Sequence, residues 1–169
     1  MPTGEQAKST SDGADLRPTI IAVVVILLAC GVVLAVAAWA RLHAESSVFD
    51  GSRKVEVTMT SYAIDVPHRL TAGKVGFDVH NNAAIAHEFV VFRTDLPANK
   101  LPVGSDGDVI EDSPQLHSVA DSGSSLKPGA SRAVLAQLTP GHYVAVCNLP
   151  DHYRLGMYAD FVVTASKSS

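Results

Sequence analysis

The chain has little cysteine and no excess of basic residues. Its only two cysteines are Cys30 and Cys147, and Cys30 lies inside a long apolar run. A disulfide framework is therefore excluded for the part of the chain that follows this run. The chain has 13 lysines and arginines and 17 aspartates and glutamates, which gives a net charge of −4. Binding to nucleic acid needs a basic surface to meet the phosphates, so we expect no such partner.

Motifs of common enzyme classes are also missing. The sequence has no G-x-S-x-G, no H-E-x-x-H and no phosphate-binding loop. Nothing in it suggests substrate turnover, so we expect neither an enzyme nor a small-molecule substrate.

Residues 20–40 form one apolar run of 21 residues without a charge. This length matches the roughly 20 residues that cross the hydrocarbon core of a bilayer as a helix. Arg17 and Arg41 flank the run. We therefore predict a transmembrane signal-anchor helix over residues 19–40, with membrane lipid as its partner, after a disordered polar leader over residues 1–18.

Two alternatives remain open for this run. A cleaved signal peptide would end at the small-residue site of residues 38–40 (AWA), although its apolar stretch is normally only about 7–15 residues long. Residues 27–30 (LLAC) resemble a lipoprotein signal, but residues 31–40 stay apolar where a mature lipoprotein usually turns polar. All three interpretations export the C-terminal part. We expect a single-pass protein of the cell membrane with this part on the extracytoplasmic side.

A short tether over residues 41–52 leads into a region of short β-type runs. Val55, Val57 and Met59 alternate with polar residues, which is the period of a strand with one buried face. Similar runs separated by turn residues follow at 75–79, 86–93, 133–136, 143–147 and 158–164. The pattern predicts a single all-β domain over residues 53–165, an antiparallel sandwich or barrel.

Residues 96–129 form a long stretch with four prolines and many glycines, serines and aspartates, for which we expect a short helix or an irregular edge. Loops of this length are uncommon in compact domains and are often functional. Within it, Asp106, Asp108, Glu111 and Asp112 form a small acidic run. We interpret this run as a solvated loop rather than as a docking patch for a cationic partner.

The most informative segment is 147–157 (CNLPDHYRLGM), which lies between two predicted strands. It places Cys147, His152 and Met157 at the spacing C-x4-H-x4-M, and His87 begins another apolar strand. Alone, each of these residues would often be structural. Together, two imidazoles, one thiolate and a weak axial thioether are the ligand set of a blue copper electron-transfer site. Thiolate and imidazole suit copper in both oxidation states, which favours single-electron exchange.

This loop, with Pro150 between Cys and His and Gly156 before Met157, resembles that of the cupredoxins, the type 1 blue copper proteins. Its spacing is most similar to that of the sulfocyanin, rusticyanin and auracyanin branch, since plastocyanins have a shorter gap between Cys and His. Upstream, residues 81–89 (NNAAIAHEF) resemble the Asn…His segment of the family. The resemblance covers about residues 53–164.

The resemblance implies a Greek-key cupredoxin-like β-sandwich or barrel that holds one type 1 copper ion. The implied copper ligands are His87, Cys147, His152 and Met157. It also implies that Asn81 or Asn82 ties the two ligand loops together by hydrogen bonds. Asp151 departs from the family pattern, because related loops often have glycine there. Glu88 is polar for its position, and we expect its side chain on the strand face opposite to His87.

The expected function is that of a membrane-anchored one-electron carrier cycling between Cu(I) and Cu(II), with redox proteins in or near the membrane as partners. Electrons would pass through the exposed edge of His152. One alternative is a copper-binding or delivery module without an electron-transfer role, and another is a β-domain that binds no metal. Delivery modules favour clusters of exposed Met and His, whereas Met59 and Met157 are the only methionines after the apolar run. The remaining histidines are interpreted as surface or structural residues: His43, His68, His80, His117 and His142.

Overall fold

A computed structural model describes residues 27–28, 30–39, 49 and 51–166. The chain divides into two compact units, Met1–Ala44 and Glu45–Ser169. In the first unit the described residues are helical and exposed. The leader predicted over 1–18, the rest of the helix predicted over 19–40 and most of the tether predicted over 41–52 lie outside the described residues. Among the residues that are described, no helix is both long and apolar enough to cross a membrane.

The described part of the second unit is built of strands that form two sheets. The strands are β1 (Arg53–Thr60), β2 (Ala63–Asp65), β3 (Arg69–Thr71), β4 (Gly73–Asn81), β5 (Val90–Arg93), β6 (His117–Asp121), β7 (Ser131–Leu138), β8 (Gly141–Val146) and β9 (Tyr158–Thr164). One sheet has the order β2-β1-β4-β7 and the other the order β3-β9-β8-β5-β6. The prediction of an all-β sandwich is confirmed.

The expectation of a purely antiparallel arrangement is wrong for two strand pairs. Strand β1 runs parallel to β4, and β3 runs parallel to β9. The reason is the route of the chain. After the hairpin of β1 and β2 it crosses to the other sheet as β3 and returns as β4, so that β4 follows β1 in direction.

The inner faces of the two sheets form the main core. Val55, Val57 and Met59 of β1 are all buried, as their alternation predicts. The Phe77 ring of the four-stranded sheet lies edge-on to two rings from the opposite side, with centroid distances of 5.4 Å to Phe89 and 6.2 Å to Phe161. Aromatic rings bury large apolar areas, so these contacts join the two sheets.

The stretch 96–129, expected to hold a short helix or an irregular edge, contributes a strand and buried side chains to the domain. It contains β6, and Leu101, Val109 and Leu116, which precede β6, pack with residues of β5, β8 and the loop after β8 in a second buried cluster. Strands β5 and β8 are therefore covered on both faces, which explains why their sequences are continuously apolar instead of alternating. In the run predicted over 86–93, the strand itself begins only at Val90.

We expect Phe77→Ala to lower the free energy of unfolding by about 3–5 kcal/mol, because it leaves a cavity between the sheets. Leu135→Ala in the neighbouring strand β7 is the matched control. Leu135 is 56% exposed, so its loss should change the free energy by no more than about 0.5 kcal/mol. Chemical denaturation followed by circular dichroism measures both variants. Similar losses in the two would contradict the placement of Phe77 in the core.

Candidate metal centre

The predicted ligands lie where strands of the five-stranded sheet begin and end. Cys147 directly follows β8 and Met157 directly precedes β9. The backbone N–H of Cys147 donates to the carbonyl of Met157 at 3.0 Å, which continues the pairing of these strands. His152 lies in the loop between them. His87 precedes β5 and is held by reciprocal backbone hydrogen bonds of 3.1 and 2.6 Å with Leu126.

Three donor atoms converge at this end of the sandwich. Cys147 Sγ lies 3.2 Å from His152 Nδ1 and 3.8 Å from His87 Nδ1, and the two Nδ1 atoms are 3.2 Å apart. Two atoms bonded at about 2.0–2.3 Å to one first-row metal ion stand about 3.3–3.8 Å apart at tetrahedral to trigonal angles. The three donors are therefore spaced to share a single ion. They form the group of metal-binding side chains found among the described residues.

Met157, the fourth predicted ligand, lies at the end of the same turn. It is fully buried and belongs to the same core cluster as Cys147. Its backbone N–H donates to the carbonyl of His152 at 3.1 Å. The turn thus connects all three predicted ligands of the loop through backbone hydrogen bonds.

Burial sets the charge state of the donors. It raises the pKa of the Cys147 thiol, although N–H groups of Glu88 and Leu149 act in the opposite direction. Burial also lowers the pKa of both His87 and His152. Both imidazoles are thus kept neutral, which is the form that binds a metal ion. A metal ion has to displace only the proton of the thiol.

The hydrogen bond to the thiol comes from the second ligand segment. The backbone N–H of Glu88 donates to Cys147 Sγ at 3.2 Å, and so joins the His87 segment to the Cys147 loop. The Glu88 side chain is half-buried, whereas His87 and Phe89 on either side are fully buried. Burial, followed by the charges of Asp121 and Glu111, raises the pKa of Glu88.

Asn81 holds the His87 segment in shape. Its side-chain amide donates to the carbonyls of Ile85 and Leu126, both at 2.8 Å, and its Oδ1 accepts the N–H of Ala83 at 3.0 Å. Asn82, the other candidate, is exposed. We expected one of these residues to join the two ligand loops by hydrogen bonds. This expectation is wrong, because the Asn81 side chain connects the His87 segment to Leu126 and not to the Cys147 loop.

Residues 96–116 hold the ligand loop in place by hydrogen bonds to Tyr153 and Asn148, and we call these contacts the clamp. The sequence does not reveal this role. The Tyr153 hydroxyl donates to the Ala98 carbonyl at 2.8 Å and accepts the N–H of Leu101 at 2.9 Å. The Asn148 side chain accepts the N–H of Val109 at 2.7 Å and donates to its carbonyl at 3.1 Å.

The acidic run also takes part in this clamp. Asn148 donates a further hydrogen bond to Glu111 Oε1 at 2.7 Å, so the run predicted to be only a solvated loop also fixes the ligand loop.

Two of the remaining histidines make contacts with carboxylates near the surface. His80 contacts Asp78 at 3.2 Å, and His142 contacts Asp160 at 3.5 Å.

Two residues near the site adopt the left-handed backbone region. Asp151, directly before His152, has a φ of 63°, a region in which glycine carries no steric penalty. Aspartate tolerates this region better than most residues. Tyr62 has a φ of 59°, which is unusual for a bulky residue and costs on the order of 1–3 kcal/mol. Its ring lies edge-on to the His152 ring, with 5.2 Å between the centroids.

Three solved structures are reported as similar to this chain, and the first of them supports the fold. Auracyanin from Roseiflexus castenholzii is 22% identical, with a TM-score of 0.50, and the match covers 68% of this chain and 98% of that protein. Auracyanin A from Chloroflexus aurantiacus, a "blue" copper protein, is 23% identical over 66% of this chain and 100% of its own, with a TM-score of 0.46. Rusticyanin from Thiobacillus ferrooxidans is 20% identical over 67% of this chain and 79% of its own, with a TM-score of 0.48. No functionally curated protein matches the chain significantly.

The fold and the family match together define a cupredoxin, a blue copper protein with one type 1 copper ion. The sulfocyanin (SoxE) domain model matches residues 44–169, and the chain belongs to this family. The predicted cofactor and the predicted branch of the cupredoxins are thereby confirmed.

The clamp on the ligand loop leads to a stability prediction. We expect Tyr153→Phe to lower the free energy of unfolding by about 1–3 kcal/mol, because it leaves the buried Leu101 N–H and the Ala98 carbonyl without their partner. Tyr158→Phe is the control, since the Tyr158 ring packs 5.3 Å from that of Tyr153 but its hydroxyl makes no hydrogen bond to another described residue. Denaturation of the copper-free protein compares the two. Equal stability of both variants would show that the Tyr153 hydroxyl does not fasten the loop.

Proposed function

We propose that this protein is a membrane-anchored carrier of single electrons. His87, Cys147, His152 and Met157 hold one copper ion, which supplies the Cu(I)/Cu(II) couple when bound. The observation that carries the proposal is the convergence of Cys147 Sγ and two imidazole Nδ1 atoms within 3.8 Å of one another. Membership of the sulfocyanin family supports the same chemistry.

The protein part of the site suits electron transfer in two ways. The donors are fixed by backbone hydrogen bonds and by the clamp on the ligand loop, so that little rearrangement accompanies a change of charge. His152 is half-buried, whereas Cys147, His87 and Met157 are fully buried. His152 is thus the ligand through which a partner makes its closest approach, and the exposed apolar side chain of Leu155 lies nearby in the same loop.

The extracytoplasmic location and the membrane anchor belong to the same proposal. They are supported by the uncharged run of residues 20–40 and by the helix over its described part, in which Leu27, Leu28 and Leu34 are 66–71% exposed. Such an anchor would raise the effective concentration of the domain near redox proteins of the membrane. The partners we propose are therefore redox proteins in or next to that membrane.

The copper site is tested by titrating the purified full-length protein with Cu(II). We expect an intense blue thiolate-to-copper absorption band that saturates near one copper per chain, because a thiolate ligand gives type 1 copper its colour. Cys147→Ser should abolish the band, whereas Cys30→Ser, which removes the other cysteine, should leave it unchanged. A colourless wild-type protein, or a band that survives the loss of Cys147, would overturn the proposed site.

Voltammetry of the copper-loaded protein separates electron transfer from copper delivery. We expect a reversible one-electron wave, since the donors are held rigidly in both oxidation states. Slow or irreversible cycling would instead favour the copper-delivery alternative.

The anchor is tested by fractionating cells that express the full chain and by measuring the mass of its N-terminus. A retained anchor predicts an intact chain that resists alkaline extraction from membranes, also in Cys30→Ser. Cleavage after Ala40 would indicate a secreted domain. Loss of membrane binding in Cys30→Ser would indicate a lipoprotein.

A further inference from the structure

Tyr62 occupies a position where the backbone favours another residue. It is the second residue of the two-residue loop between β1 and β2, which closes on the pair Thr60 and Ala63. Its φ of 59° is positive. Glycine or asparagine normally takes such a turn position, because a bulky side chain is strained there. The folded protein therefore accepts strain in order to place an aromatic ring at this point.

The strained turn points the Tyr62 ring at the metal centre. The ring lies edge-on to His152, at 5.2 Å and an interplanar angle of 79°, and edge-on to His87, at 6.5 Å and 76°. The two histidine rings are themselves 5.1 Å apart at 65°. These are the edge-to-face arrangements that aromatic rings prefer. Through Tyr62, the β1–β2 hairpin of the four-stranded sheet contacts two predicted ligands that lie in loops next to the five-stranded sheet.

The ring contacts matter because neither imidazole is oriented by a hydrogen bond from its second ring nitrogen, Nε2, to a described residue. A metal-binding histidine usually donates its second ring N–H to a carboxylate or a carbonyl, which fixes the plane of the ring. Here the Nε2 of His87 is buried without a partner among the described residues. The Nε2 of His152 likewise makes no hydrogen bond to a described residue, since the contacts of its ring run through Nδ1.

We propose that Tyr62 is a positioning residue of the copper site: its ring fixes the plane of the His152 imidazole by packing, in place of a hydrogen bond. Tyr62 is 39% exposed and His152 is half-buried, so this ring contact lies at the surface of the domain. The inference rests on the proposed copper site. It adds that the β1–β2 turn, far from the ligand loop in sequence, helps to hold one ligand.

The test uses three variants of the full-length protein. Tyr62→Phe keeps the ring, Tyr62→Ala removes the ring but keeps the backbone strain, and Tyr62→Gly removes both. In the copper-free protein, NMR of the imidazole protons should show a fixed His152 ring in the wild type and in Tyr62→Phe. The same signals should shift and average in Tyr62→Ala and Tyr62→Gly. Ser61→Ala in the same turn is the control and should leave them unchanged.

Copper release to a chelator gives the second readout. Release should be about two- to tenfold faster in Tyr62→Ala and Tyr62→Gly, the range that loss of one edge-to-face contact implies, and unchanged in Tyr62→Phe. Thermal denaturation separates positioning from stability. Tyr62→Gly should unfold at a higher temperature than Tyr62→Ala, because it relieves the backbone strain, and yet it should release copper at the same rate. If Tyr62→Ala fails to fold, Tyr62→Gly, whose backbone suits the turn, carries the test alone.

Two results would overturn the inference. One is a His152 signal and a release rate that stay at wild-type values without the ring. The other is a release rate that follows the unfolding temperature across the three variants, since Tyr62 would then act only through the fold. Either result is distinct from failure of the proposed function, in which the wild-type protein itself would take up no copper and show no blue band.

Discussion

The backbone hydrogen bond from Cys147 to Met157 is the constraint on which the site depends. It extends the pairing of β8 and β9 by one step beyond Val146 and Tyr158, so the ligand loop begins and ends at fixed neighbouring points of a sheet. Two predicted ligands thereby belong to the rigid core, and His152 has only a few residues of loop in which to move. The sheet defines one end of the metal centre before any metal binds.

The rest of the site forms where the His87 segment meets the Cys147 end of the β8–β9 pair. Asn81 shapes the His87 segment, and the Glu88 N–H meets the thiol that the sheet has already placed. Burial then keeps the imidazoles neutral and the thiol protonated in the absence of copper. The three donor side chains therefore carry no buried charge in the copper-free protein, which is consistent with a site that is formed before it is loaded. The strained Tyr62 turn adds a contact from the other sheet.

Much of this could be predicted from the sequence, because both signals that matter are local. Period-two alternation identifies β1 and β4, and the spacing of Cys147, His152 and Met157 is contained in one loop. Contacts across long sequence distances could not be predicted. The packing of Tyr62 on His152 and the clamp of residues 96–116 on Tyr153 join segments whose patterns show nothing unusual. The parallel pairing of β1 with β4 escaped prediction for the same reason, since it depends on the route of the chain between the sheets.

The clamp on the ligand loop is made almost entirely to backbone atoms. Tyr153 bonds to the carbonyl of Ala98 and the N–H of Leu101, and Asn148 bonds to both backbone groups of Val109. Glu111 is the one side chain of that stretch that bonds to Asn148. A backbone group is present whatever residue carries it. Evolution is therefore free to replace most polar residues of this stretch, and with them the charge presented to partners, without disturbing the geometry of the site that it secures.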